Sequence, residues 1–202
     1  MNAHELTEWS TTDKKIERIL KSKGYKKLGA GVDQTAYLEP GTGFVLKIFG
    51  TQGGKKFSRD HQMFFVWAQF CMKNSQNPFL PRFDDYESFV LDGDRYLQIR
   101  QEILQKTPHG IALEIMADAA EEDVRNLNGV YDFIDQYGYA GHAQKFNRLI
   151  ESLGVKQSTL LYKTIRSLKQ MADGHGWTFD LHAGNFMQRA DGTPVIVDPW
   201  VV

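Results

Sequence analysis

The segment that most constrains this chain lies near its C-terminal end. It reads Phe179-Asp180-Leu181-His182-Ala183-Gly184-Asn185, and a strand, an Asp191-Gly192 turn and a second strand then deliver Val195-Ile196-Val197-Asp198. Asn185 follows Asp180 by five positions, and Asp198 follows Asn185 by thirteen. Phosphoryl transfer needs a carboxylate that orients or deprotonates an attacking hydroxyl, and two oxygen ligands that hold magnesium against the phosphates. Asp180, Asn185 and Asp198 can supply all three. A purely structural reading competes with this one: Asp180 capping a turn, Asn185 as a turn residue, and Asp198 before Pro199 ending a strand.

A second feature lies upstream. Gly29-Ala30-Gly31 follows a short strand and leads into another, and glycines there can be simple turn makers or can let backbone amides approach a ligand. Eighteen residues after Gly29, the run Val45-Leu46-Lys47 puts a lysine in the middle of an apolar strand. A buried ammonium there calls for an anion. The alternative is a strand lysine snorkelling at a sheet edge.

The rest of the chain separates into two textures. Helical spacing of Ile16, Ile19 and Leu20 predicts a first helix over 12–23. Extended segments follow around 26–28, 35–38 and 44–49, with a Pro40–Gly43 turn between the last two. A helix is expected over 58–74, then a hairpin pairing 88–91 with 96–99 around Asp92-Gly93-Asp94, where Asp-Gly matches strand twist. After Leu104 the chain reads as mostly helical, divided by Gly129, Gly138, Gly141 and Gly154. Its clearest helix presents Leu161, Ile165 and Leu168 on one face and stops at Gly174 to Gly176. The fold class is therefore α+β, with a strand-rich half over 1–104 and a helix-rich half over 105–202.

With 202 residues and 42% apolar content the chain can bury a real core, and one compact domain is expected, with a bilobal form open. The 24 basic and 25 acidic residues nearly balance without a Lys/Arg run, so neither nucleic acid nor an acidic membrane is an expected partner. The lone cysteine, Cys71, cannot form an internal disulfide and fits a reducing compartment as a buried helix residue. Its apolar stretch from Met63 to Met72 is too short to span a membrane. The first residues lack a secretory layout, and a cytoplasmic location is expected.

The catalytic-type segment, D-x-x-x-x-N followed by a hairpin and an apolar strand ending in Asp, resembles the catalytic loop and metal-binding aspartate of the protein-kinase superfamily. The wording Phe179-Asp180-Leu181-His182-Ala183-Gly184-Asn185, with Asp198-Pro199 in place of Asp-Phe-Gly, is similar to the short serine/threonine kinases encoded by bacteriophages. The resemblance covers roughly Tyr25 to Trp200. It implies a two-lobed protein-kinase-like fold with a truncated C-terminal lobe, using ATP and Mg2+. It implies further that Asp180 is the catalytic carboxylate, that Asn185 and Asp198 are metal ligands, and that Lys47 grips the nucleotide phosphates. Gly29 and Gly31 would bring amides to the nucleotide, Glu102 and Leu104 would offer backbone groups to adenine, and His182 would assist at the phosphate or pack.

The chain departs from that pattern at several points. Gln34 stands at the third glycine of the phosphate loop. No glutamate occurs between Ser58 and Asn74 to pair with Lys47, which leaves Asp60, Gln62 and Gln69, with Asp60 also suited to a helix first turn. The expected activity is a serine/threonine protein kinase acting on host bacterial proteins in the host cytoplasm. Two alternatives stay open: a small-molecule kinase, and a nucleotide-binding pseudokinase that inhibits a partner by contact.

Overall fold

The structure is a computed structural model and describes residues 11–30, 34–50 and 59–201, save the side chains of 11–13 and 59–61. The chain is of the α+β class, with an antiparallel sheet and a set of helices. It falls into two compact units. One takes the described residues up to Gln62 together with Arg82–Ile103, and the other takes Met63–Pro81 with the described residues from Leu104 onward.

The first unit is a helix on an antiparallel sheet. α1 (Thr11–Ser22) precedes β1 (Lys26–Ala30), β2 (Gln34–Leu38) and β3 (Phe44–Gly50); β4 (Phe83–Leu91) and β5 (Asp94–Glu102) complete the sheet in the order β1-β2-β3-β5-β4. Ile16 and Leu20 of α1 pack against Tyr37, Leu46, Ile48 and Tyr96. Side chains alternate between faces along a strand, so Lys47, between Leu46 and Ile48, stands on the opposite face from α1. There it lies in register with Ala36 on β2 and Ile99 on β5. Asp92 and Gly93 both have positive φ, 52° and 88°, which is the turn geometry that the hairpin signal called for.

β4 begins five residues before the segment legible in the sequence. Its opening stretch, Asp84-Asp85-Tyr86-Glu87, is exposed on a sheet edge, where no apolar alternation is required. Glu39 ties the sheet's turns together. It accepts from Tyr25 at 2.9 Å, Thr42 at 2.8 Å and Arg100 at 2.7 Å, and Arg100 also bonds Asp84.

The helix expected over 58–74 runs as α2 (Arg59–Lys73) among the described residues. The sequence reading grouped it with the strand-rich half, but from Met63 to Pro81 it belongs to the second unit. The reason is a set of anchors made deep in that unit. Trp67 is 1% exposed and sits edge-on to Trp200 at 5.4 Å. The carbonyl of Phe79 accepts from the Ile196 amide at 3.0 Å. Arg189 donates to the Pro78 carbonyl and, at 2.9 Å, to that of Leu80. Cys71 is buried, as expected of a helix residue.

The remainder of the second unit comprises β6 (Gln105–Lys106), α3 (Gly110–Glu121), α4 (Leu127–Gln136), α5 (Ala143–Leu153), α6 (Val155–His175), β7 (Thr178–Phe179), β8 (Phe186–Gln188), β9 (Pro194–Ile196) and β10 (Trp200–Val201). α3 packs on α6, whose Leu161, Ile165 and Leu168 are all fully buried on the face read from sequence. Gly138 and Gly154, with φ of 83° and 73°, separate helices as expected. Gly129 does not: it lies inside α4, where a Cβ would come within 2.8 Å of Val124 Cγ1. Two small antiparallel sheets complete the unit: β6-β8-β9, and β7 with β10. Among the described residues no helix is long and apolar enough to cross a membrane.

Candidate active site

Asp180 follows β7 directly, and a single 3-10 turn (Ala183–Asn185) then leads into β8. Within this loop the amides are consumed locally. The Asp180 amide donates to the Pro199 carbonyl at 2.9 Å, and the Asn185 amide donates to the His182 carbonyl at 2.9 Å. The Asn185 side-chain amide donates to the Asp180 carbonyl at 2.6 Å and reaches the Asp180 carboxylate oxygen Oδ2 at 3.4 Å. With Nδ2 committed there, Asn185 Oδ1 is the atom of that group suited to a cation. Asp198 is brought in by its neighbours. The Val197 amide donates to the Asn185 carbonyl at 3.0 Å, and Pro199 is the residue that accepts from Asp180. Asn185 is thus tied directly to Asp180, and the residues on either side of Asp198 are tied to Asn185 and to Asp180.

His182 is more than half exposed and its ring is held by the loop. Nδ1 accepts from the Gly184 amide at 3.0 Å, which leaves the proton of the neutral ring on Nε2, 4.0 Å from Asp180 Oδ2. Gly184 permits this arrangement, since a Cβ there would stand 2.7 Å from His182 Cε1.

Two supports of the loop escape sequence reasoning. Glu114 of α3 accepts from the Ala183 amide at 3.3 Å. Gly110, at the start of α3, lies so close that a Cβ would sit 3.1 Å from Ala183 Cβ and 3.2 Å from its carbonyl oxygen. The one signal available was Glu114 itself, the lone charge in the apolar stretch Ile111 to Ala117. His109, just before Gly110, is partly buried, and burial holds its pKa below the ordinary histidine value. Further along α3, Asp118 accepts from the Tyr139 hydroxyl at 2.6 Å. That bond first, then burial and the charges of Asp118 and Glu114, push the Tyr139 phenol up to about 12.

In the first unit Lys47 is half-buried at the centre of β3. Gly29 lies on the exposed β1, where an added Cβ would meet nothing within 4 Å. Gly31 lies outside the described residues. Asp60 falls in the first turn of α2, and its side chain is likewise outside what is described. Glu102 ends β5 and is bonded to Arg82 twice: its amide donates to the Arg82 carbonyl at 2.9 Å, and its carboxylate accepts from the Arg82 amide at 2.8 Å. The Ile103 amide donates to Gly43. The Glu102 amide is thus committed within the sheet, and Leu104 begins the second stretch of the second unit.

Among the described residues no group of three or more His, Cys, Asp or Glu side chains could hold a metal ion. A magnesium site of the sort at issue needs fewer protein ligands, because this ion keeps waters and takes phosphate oxygens. The donor set of one carboxylate, Asp198, and one amide oxygen, Asn185 Oδ1, is all oxygen and fits that hard cation. No protein-family model matches the chain, and no curated protein does.

Proposed function

We propose that this protein is an ATP- and magnesium-dependent phosphotransferase with a two-lobed protein-kinase-like fold, acting on serine or threonine hydroxyls of host bacterial proteins. The observation that carries this reading is the mutual tethering of Asp180, Asn185 and the Val197–Pro199 segment that holds Asp198. The chain order supports it too, with a five-stranded sheet bearing a strand lysine followed by helices and then the carboxylate loop.

In this reading Asp180 takes the proton of the acceptor hydroxyl as its oxygen bonds to the γ-phosphorus. The bond from that phosphorus to the β–γ bridging oxygen breaks, and ADP leaves. Asn185 and Asp198 would hold magnesium, which when bound neutralises charge on the phosphates. For Lys47, in the sheet unit, the resemblance implies a hold on nucleotide phosphates. His182 presents Nε2–H beside Asp180 and serves at the transferring group. Gly29, Glu102 and Leu104 keep the backbone roles toward the nucleotide that the resemblance implies for each.

Purified protein incubated with labelled ATP and magnesium, alone and with bacterial lysate, should label protein bands. Asp180→Asn should lower the rate by about 10²–10⁴-fold, as expected for a positioned general base. Full activity in that variant removes the assignment. ATP binding without protein labelling would shift the acceptor to a small hydroxylated molecule, and ATP binding with no turnover at all would favour a partner-binding pseudokinase.

A further inference from the structure

The carboxylate of Asp198 is carried by a backbone whose orientation is set on both sides. Before it, the Val197 amide is bonded to Asn185 at 3.0 Å; after it, the Pro199 carbonyl is bonded to Asp180 at 2.9 Å. A further bond comes from a distant element. The indole Nε1 of Trp67, on α2, donates to the Val197 carbonyl at 3.1 Å across 130 residues of sequence. That carbonyl belongs to the planar peptide unit that also contains the Asp198 nitrogen. The indole therefore clamps the peptide plane from which the Asp198 side chain springs. Pro199 has no amide hydrogen, so the next peptide cannot be anchored through its own N–H.

Trp67 is itself deeply packed. It is 1% exposed, meets Trp200 edge-on, and Trp200 in turn donates to the Leu168 carbonyl of α6 at 3.1 Å. The Trp67 indole consequently ties α2 to the segment between β9 and β10 that carries Asp198.

We propose that Trp67 is a positioning residue for the metal ligand Asp198, its indole N–H fixing the Val197–Asp198 peptide plane and with it the direction in which the carboxylate meets the cation. This rests on the phosphotransferase reading above. A merely structural indole would need an acceptor too, because buried Trp N–H groups are bonded. The two roles differ in what metal binding does when the N–H is removed.

Manganese, an observable substitute for magnesium, is titrated by electron paramagnetic resonance into protein saturated with a non-hydrolysable ATP analogue. Three proteins are compared: wild type, Trp67→Phe and Tyr162→Phe. Tyr162→Phe removes a buried bond of similar length, 2.8 Å to the Val124 carbonyl, with no link to Asp198. Trp67→Phe keeps an aromatic ring beside Trp200 and should weaken manganese binding about 10-fold, the loss typical of a support behind a ligand. Tyr162→Phe should bind manganese as the wild type does while melting at a lower temperature. Wild-type manganese affinity in a folded Trp67→Phe overturns the proposal. If that variant does not fold, the wild-type Trp67 indole ¹H–¹⁵N signal decides. It should shift when magnesium is added to the nucleotide complex, and an unmoved signal overturns the proposal. A wild type that binds no manganese with nucleotide overturns the phosphotransferase reading itself, a result distinct from the other two.

Discussion

Asn185 and Asp180 form a single polar unit, with the amide of one donating to the backbone carbonyl of the other at 2.6 Å and reaching its carboxylate at 3.4 Å. Replacing Asn185 with Asp would take away the donor and set a second carboxylate against the first. We expect Asn185→Asp to lose about 0.5–1.5 kcal/mol of stability at pH 8 in urea unfolding, the net worth of an ordinary intramolecular hydrogen bond. Unchanged stability at pH 8 would show that the pair does not hold the loop.

The two glycines that touch this loop should respond differently. At Gly110 an added Cβ meets backbone of Ala183 at 3.2 Å, which can yield only if the loop moves. Gly110→Ala should therefore cost about 1–3 kcal/mol of stability, the range for an overpacked contact. At Gly184 the Cβ meets the exposed His182 ring, which can swing aside. Gly184→Ala should change stability by less than about 0.5 kcal/mol. Equal losses at both sites would contradict this distinction.

Tyr139 predicts an alkaline limit to stability. Its bond to Asp118 comes first among the causes, and its pKa in the fold is about 12 against an ordinary value of 10. A raised pKa means that the neutral form is favoured in the folded state. Its contribution is thus complete below pH 10 and is lost as pH rises toward 12. Burial pushes Tyr162 up to about 12 as well, so its ionisation adds to the same decline. Tyr139→Phe should be less stable than wild type at pH 8, with the gap closing by pH 12 in guanidinium unfolding. A gap that stays constant across that interval would mean the phenol is not linked to folding.

Arg189 holds the segment before β4 to the β8–β9 hairpin by donating to the Pro78 and Leu80 carbonyls with two nitrogens of one guanidinium. Lysine keeps the charge and loses the fork. Arg189→Lys should cost about 1–3 kcal/mol. It should also speed hydrogen exchange at the Ile196 amide, whose partner is the nearby Phe79 carbonyl. Native-like protection at Ile196 in the variant would place that anchor elsewhere.

Much of the fold was legible where local rules suffice. The Asp92-Gly93 turn, the strand around Lys47 and the buried face Leu161, Ile165 and Leu168 follow from turn chemistry and from periods of 2 and 3.6. The spacing of Asp180, Asn185 and Asp198 marked the loop, because a tight turn and a short hairpin leave few other arrangements. Gly129 showed the limit of such rules, as a glycine inside a helix reads like a break until Val124 is seen against it.

What only the tertiary structure decided is long-range pairing, which has no local period. α2 reads as an apolar helix whichever unit receives it, and its place was settled by Trp67 meeting Trp200 and Val197. Glu114 reaches the loop across 69 positions of sequence, and Trp200 pairs with Phe179 in a strand too short to announce itself. By itself the sequence determined which side chains could do chemistry and which segments could be strands or helices, because those depend on residue type and near neighbours. The packed chain alone decided which helix supports the carboxylates, because burial and hydrogen-bond satisfaction are settled among residues far apart in sequence.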